Sequence, residues 1–199
     1  MLKVGLTGGI ATGKSYVSAR LVAAGIPLVD ADVLARHALD PGTPGLQAVR
    51  ERFGDGVLAA DGTLNRARLG DIVFRDANAR RELEAMVHPG VMRAIDAFFK
   101  EHCSREVRLA VADVPLLYEV GAEPIFDRIV VVACARETQV TRVMARDGAS
   151  REAAERRITA QLPIDEKVRR AHYVIRTDGS FADTDRQVDE MMEKLRAES

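Results

Sequence analysis

The sequence is short of several features that would decide its class at once. Only two cysteines occur in 199 residues, Cys103 and Cys134, without CxxC spacing, so neither a disulfide nor a zinc site is expected. Cys134 closes the apolar run IVVVAC and reads as a buried thiol. No apolar stretch approaches the roughly 20 residues that cross a bilayer, and the chain starts at a strand with no cationic leader. A soluble, cytoplasmic protein with no membrane partner is therefore expected. Excess charge is lacking too: a formal net charge of -1 gives no global attraction to nucleic acid or anionic lipid. Anion binding, if present, must be local, and no nucleic-acid partner is expected. Internal repeats and low-complexity tracts are absent. What remains, 47% hydrophobic residues, is enough for one substantial core with a smaller lobe inserted into it.

The strongest local signal stands near the start, where LTGGIATGKS spans residues 6–15. Gly8 to Ser15 fits GxxxxGK[ST], and Leu2, Val4 and Leu6 alternate ahead of it like a strand entering a core. Val17, Leu21 and Ala24 continue at helical spacing. Strand, glycine-rich turn and helix in that order make a phosphate loop. Backbone N–H groups of residues 8–16, including Gly9, Ala11, Thr12, Gly13 and Tyr16, approach phosphate oxygens at the positive end of the helix. Lys14 adds a full charge near the β- and γ-phosphates, and the Ser15 hydroxyl is the protein ligand for Mg²⁺. ATP with Mg²⁺ is the expected ligand. The competing reading is an ordinary glycine-rich turn.

Three later segments read as buried strands, IPLVD at 26–30, VRLAVADV at 107–114 and RIVVVAC at 128–134, and a shorter one, HYVIR at 172–176, follows. Helical patterns alternate with them, which predicts an α/β fold with a parallel five-stranded sheet flanked by helices. About 75 residues separate the second strand from the third, far more than one crossover helix needs. The excess predicts a helical insertion, with turns at DPGTPG and GDGVLAADGTLNR and a helix from about Ala77 to Lys100, interrupted at His88 and Pro89. A last helix is expected over Phe181 to Leu195.

Phosphate loops serve switches, motors and phosphotransferases. The strings NKxD and DxxG, which a Ras-type switch requires, are absent, and the chain has little room for motor domains. A small-molecule kinase fits better. It needs a proton acceptor for the attacking hydroxyl, positive charge on the transferred group and protection from water. Asp30 and Asp32 in VDAD follow the second strand; one of them can be the base, and one can cap the next helix. Arg136, Arg142, Arg146, Arg151, Arg156 and Arg157 lie within 22 residues. Arg142 and Arg146, four apart, share a helical face and can meet one anionic site, while the outer arginines suit solvated pairs with Glu152 and Glu155. A helix, a break at Gly148 and a second basic helix suit a lid. Asp113 ends the third strand, either as a turn former or as a group that orients substrate or water on Mg²⁺. His88 has no second ligand at metal spacing.

LTGGIATGKS, VDAD, HP, DVPLLYE and RDGASREAAERRITAQ follow one another in this order. With them the chain resembles the bacterial dephospho-CoA kinases, a family of P-loop kinases, over nearly its full length. The resemblance implies ATP-dependent phosphorylation of the ribose 3′-hydroxyl of dephospho-CoA. It also implies a core of residues 1–30, 105–140 and 170–199, a helical CoA-binding insertion over 31–104 and a small helical lid over 141–169. Position by position, Asp32 resembles the general base, Lys14 and Ser15 the phosphate and Mg²⁺ contacts, and Arg146 a lid arginine, with Arg142 on the nucleotide side. His88 and Pro89 match the family's HP pair in the CoA lobe, and Asp113 and Leu116 belong to the substrate-side DVPLL. Small-molecule substrates, ATP and dephospho-CoA, are the implied partners of a monomer or weak homo-oligomer. Two places depart from the family pattern: Tyr16 stands where a threonine is usual, and His172 and Thr177 replace an aspartate and an asparagine in the segment expected to line adenine. The alternatives left open are a kinase for another nucleotide or hydroxyl acceptor, and a nucleotide-dependent binding module.

Overall fold

A computed structural model describes all 199 residues, Met1–Ser199. It divides into two compact units, residues 1–29 with 99–199, and residues 30–98. The first unit carries a five-stranded parallel sheet built from β1 (Leu2–Gly8), β2 (Leu28–Asp30), β3 (Leu109–Asp113), β4 (Arg128–Ala133) and β5 (Tyr173–Arg176), in the order β2-β3-β1-β4-β5. Central strands of such a sheet are covered on both faces and read as unbroken apolar runs. β3 is buried throughout and β4 from its second residue, whereas the edge strand β2 is only half-buried, not buried as its sequence suggests.

β1 lies between β3 and β4, with Leu6 opposite Asp113 and Gly8 opposite Val132. The connection after β1 runs toward the β2 edge and the one after β4 toward the β5 edge, so the carboxyl end of β1 lies at the switch point where α/β sheets bind ligands. α1 (Lys14–Ala23) starts there, burying Val17 and Leu21. α9 (Phe181–Glu198) opens on a capping box between Ser180 and Asp183 and buries Thr184, Val188, Met191, Met192 and Leu195, one face of the helix. Val188, Met191, Met192 and Leu195 join Val4, Leu6, Val111, Val130, Val132 and Ile175 in the main core. Each fully buried Leu or Val there is worth about 1.5–3 kcal/mol.

Three helices follow β4 and precede β5. α6 (Arg136–Asp147) ends at Gly148, whose left-handed φ of 61° suits glycine. α7 (Arg151–Thr159) starts at the Ser150 cap, and α8 (Ile164–Arg170) completes the set. Val140, Val143, Ala154 and Ile158 form a small core between α6 and α7, and Ile10 and Ala11 of the phosphate loop pack against it.

The second unit is helical. It contains α2 (Ala31–His37), α3 (Pro44–Phe53), α4 (Arg66–Arg75) and most of α5 (Ala77–Ser104). Thr43 and Asn65 cap α3 and α4 through their side-chain oxygens. The interruption expected at His88 and Pro89 does not occur: α5 runs unbroken through both, for 28 residues. Proline in a helix interior forfeits a hydrogen bond to the residue four back, at about 3 kcal/mol. Here that residue, Ala85, is exposed like His88 and Pro89, so the proline falls on the solvent side of the helix. Val87, Val91 and Ile95 keep a buried stripe at four-residue spacing across the proline, and packing overrides the local preference.

Candidate active site

The phosphate loop forms because its backbone can adopt conformations that most side chains resist. Gly13 has φ 85° as it enters α1, and a Cβ on Gly8 would stand 2.6 Å from the Val132 carbonyl oxygen. Ala11 also sits at a left-handed φ, 57°, which costs a residue with a Cβ roughly 1 kcal/mol. The surroundings hold it there. Thr12 Oγ1 donates to the Gly9 carbonyl (2.9 Å), and Gln139 Nε2 on α6 donates to the Ile10 carbonyl (2.8 Å). The Ile10 N–H donates to Gln161 Oε1 (2.8 Å), from the turn between α7 and α8. Thr177 Oγ1, at the end of β5, donates to the Thr12 carbonyl (2.7 Å). Carbonyls are thereby turned outward, toward the protein, which is the arrangement a ring of inward N–H groups requires.

Lys14 opens α1 with its side chain largely covered, and its ammonium pairs with Asp113 Oδ1. Ser18, one turn further along α1, donates to Asp113 Oδ2 (2.8 Å). Asp113 is therefore neither a simple turn former nor a lone carboxylate: it is buried and holds the loop lysine. Ser15 is exposed at the first turn of α1. No group of three or more His, Cys, Asp or Glu side chains could hold a metal ion alone. The chemistry present, one exposed hydroxyl beside a phosphate loop, fits Mg²⁺ carried mainly by a triphosphate's own oxygens. Tyr16 sends its hydroxyl to Asp185 Oδ1 (2.8 Å) and packs at a tilt, 4.9 Å between ring centroids, on Phe181, an exposed ring at the start of α9. The hydrogen bond to Asp185 pushes the Tyr16 phenol above its ordinary range.

Arg142 and Arg146 share α6 but do different things. The Arg142 guanidinium spans Thr177, reaching its hydroxyl (3.0 Å) and its carbonyl (2.6 Å), which ties α6 to the loop through Thr177. Arg146 is exposed and gripped by Asp147 at 2.8 and 3.0 Å, and Arg157 donates to the same carboxylate at 2.6 Å. Arg151 pairs with Glu155, as expected of a solvated outer arginine, and with Glu137 on α6 instead of Glu152. Leu116, just past β3, is exposed.

Thr177 stands beside the loop, within 3.5 Å of where a Gly13 Cβ would be. His172 stands at the other end of β5, where its Nδ1 accepts from the Ile129 N–H (3.0 Å). Four strand residues separate them, so His172 takes no part at the loop's end of the sheet. The segment after β5 is fixed by Asp178, which accepts from the Ala135 N–H (2.7 Å) and the Thr138 hydroxyl (3.1 Å).

In the helical unit, the question of which aspartate caps α2 is resolved: Asp30 Oδ1 accepts from the N–H groups of Asp32 (2.8 Å) and Val33 (3.4 Å). Asp32 lies in the first turn of α2 and is exposed. His88 is exposed on α5. A cavity of about 340 Å³ in the same unit is lined by Leu34, His37, Thr43, Met86, Gly90 and Arg93, but not by His88.

Nothing in the sequence marks Gln139, Gln161, Ser18 and Lys167 as site residues. Lys167, on α8, reaches the Gly8 carbonyl at 3.2 Å. Its surroundings in sequence, DEKVRR, read as a solvated helix, and only the fold reveals that this lysine turns inward.

A phosphate loop at the switch point of a parallel sheet, with its lysine held by a carboxylate from the neighbouring strand and an arginine helix alongside, defines a P-loop kinase. The narrower family follows from comparison. The family model described as Dephospho-CoA kinase matches residues 2–183, and the chain belongs to that family. The dephospho-CoA kinase of Anaeromyxobacter dehalogenans is 46% identical over 196 residues, covering 98% of this chain and 93% of that one. That of Listeria monocytogenes is 43% identical, covering 96% of each. Among solved structures, dephospho-CoA kinase from Campylobacter jejuni matches with a TM-score of 0.74 at 28% identity, over 98% of this chain and 97% of its own. TT1252 from Thermus thermophilus matches with 0.79 at 36%, with the same coverage. Shikimate kinase from Acinetobacter baumannii, at 16% identity and a TM-score of 0.54 over 100% of this chain and 95% of its own, shares the fold. The chain is accordingly an ATP-dependent phosphotransferase.

Proposed function

We propose that the chain transfers the γ-phosphoryl group of ATP to the ribose 3′-hydroxyl of dephospho-CoA, giving coenzyme A and ADP. The 3′-oxygen forms the new bond to phosphorus, the bond from the γ-phosphorus to the β–γ bridging oxygen breaks, and ADP leaves with that oxygen. The hydroxyl proton passes to Asp32, the general base. Asp30 caps α2, which leaves this role to the second aspartate of the pair.

Positioning and charge neutralisation supply most of the rate in phosphoryl transfer. N–H groups of the loop that no protein acceptor takes, those of Gly9, Ala11 and Gly13 among them, cradle the phosphates, and Lys14 moves from Asp113 to the β- and γ-oxygens, which compete for the same ammonium. Arg146, held by an exposed carboxylate that it can leave, neutralises the group in flight. Arg142 stays with Thr177 and keeps α6 in register with the nucleotide. Ser15 is the protein ligand for Mg²⁺, which when bound draws charge from the β- and γ-phosphates. Residues 31–104 serve as the acceptor lobe, with His88 on it and Asp113 and Leu116 on the substrate side of the core. Residues 141–169 serve as the lid. No helix is long and apolar enough to cross a membrane, and a cytoplasmic monomer or weak homo-oligomer fits this reading.

The observation that carries the proposal is the Lys14–Asp113 pair at the mouth of a fully formed phosphate loop, in a chain of this family. Incubation with ATP, Mg²⁺ and dephospho-CoA, with the product weighed by mass spectrometry, should give coenzyme A. Transfer to adenosine or a nucleoside monophosphate but not to dephospho-CoA would overturn the acceptor. Asp32→Asn should bind both substrates and lose turnover on the order of 10²–10⁴-fold. A near-normal rate in the folded variant would remove Asp32 as base.

A further inference from the structure

Lys167 is wholly buried, the largest of the fully buried side chains, on a helix whose neighbouring Asp165, Arg169 and Arg170 face solvent. Its ammonium has three oxygen partners for its three protons: Glu119 Oε1 at 2.7 Å, the Gly8 carbonyl at 3.2 Å and the Pro115 carbonyl at 3.4 Å. Burying a charge of this kind is expensive, and an apolar residue of similar volume would often stabilise a core equally well or better. The cost asks for a return elsewhere.

The partners say where. Gly8 is the first residue of the phosphate loop, at the exit of β1, and Pro115 lies two residues past Asp113, the carboxylate that holds Lys14. Thr7 Oγ1 also donates to the Pro115 carbonyl (3.0 Å), so the two strand exits share an acceptor. Lys167 thus spans the root of the loop and the root of its lysine's partner. All peptide bonds are trans, so a carbonyl drawn one way sends the next residue's N–H the other way. Drawing the Gly8 carbonyl toward α8 therefore turns the Gly9 N–H away from it. Gln139 does the same for Ala11 through the Ile10 carbonyl, and Thr177 for Gly13 through the Thr12 carbonyl. Three side chains from three different elements pull alternate peptide planes outward.

We propose that Lys167 is a positioning residue of the phosphate loop: its buried ammonium fixes the Gly8–Gly9 peptide plane and the spacing of the β1 and β3 exits, and so sets affinity for the polyphosphate of ATP or ADP. Glu119, which also accepts from the Leu162 N–H (3.0 Å), aims the ammonium and connects it to the turn before α8. This role rests on the loop's binding of nucleotide and not on the identity of the acceptor.

Lys167→Met tests it by two readouts that a purely structural lysine would leave alone. Loss of a charge-assisted donor to the loop should weaken ADP binding, measured by titration calorimetry, about tenfold or more. The KM for ATP should rise in parallel while the KM for dephospho-CoA stays within about twofold. ADP affinity within twofold of the parent in the folded variant, whatever its Tm, would overturn the proposal. If Lys167→Met does not fold, Lys167→Gln keeps one amide donor and carries the same test; it should bind ADP at least about threefold more weakly, and unchanged affinity overturns the role. ADP titration is read without an acceptor, so it stands even if dephospho-CoA proves not to be the substrate.

Discussion

The phosphate loop and the corner between α6 and α7 are both rich in polar groups, and they treat them in opposite ways. Around the loop, the groups that set its shape are taken by partners from distant elements: Lys14 by Asp113, Gly8 by Lys167, Ile10 by Gln139 and Gln161, Thr12 by Thr177. At the corner, Arg146 is held by the very next residue, and Arg151 and Arg157 reach exposed carboxylates within α6 and α7. Deep partners fix geometry because breaking them leaves a buried group unpaired, whereas exposed pairs exchange with water at little cost. The loop is therefore preorganised for phosphate, while the corner's arginines are free to change allegiance when an anion arrives. A kinase needs both properties, one to hold the nucleotide and one to release the product.

The sharpest way to break the comparison is at Lys14. Lys14→Ala should lower turnover by about 10³-fold through lost stabilisation of the transferring group, measured at saturating dephospho-CoA over a range of ATP. It should also lower the Tm, because Asp113 keeps only Ser18 among its partners near the loop. An unchanged rate with ATP would remove Lys14 from the phosphate site.

What the sequence made legible follows the same division. The loop was readable because GxxxxGK[ST] forces a local backbone, and the strands because buried parallel strands are apolar throughout. The sequence places Arg142 on a basic helix, but its partner Thr177 lies 35 residues away and its attachment is a tertiary fact. Lys167 carried no signal, since a lysine in a charged helix looks the same whether it faces water or a carbonyl. Pro89 misled for a related reason: the penalty of a helical proline depends on whether water reaches the stranded carbonyl, which only the packed helix decides. His172 and Thr177 are departures within one family segment, yet the four residues of β5 put them at opposite ends of that strand.

A smaller effect is expected at Arg146, where the exposed pair predicts activity without stability. Arg146→Ala should lower kcat by roughly 10²-fold and leave the Tm within about 2 °C of the parent. Arg146→Lys should recover only part of the rate, since an ammonium lacks the planar fork that meets two phosphoryl oxygens at once. A fall in Tm as large as that of Lys14→Ala would show that the corner is as deeply fixed as the loop.

The smallest effect concerns Asp147, and it depends on pH. Hydrogen bonds from Arg146, together with the charges of Arg146 and Arg157, hold its carboxyl below the usual carboxylate range. A carboxyl whose folded pKa is depressed adds stability that is fully present above its ordinary pKa and disappears as pH falls through the lowered value. Asp147→Asn removes that contribution at every pH. The Tm of the variant should therefore lie slightly below the parent's at neutral pH, by about 2 °C or less for so exposed a group. The gap should narrow on acidification through the carboxylate range, which thermal melts at a series of pH values would follow. A gap that widened toward acid would mean that Asp147 is held protonated and that the corner's arginines are not its partners in solution.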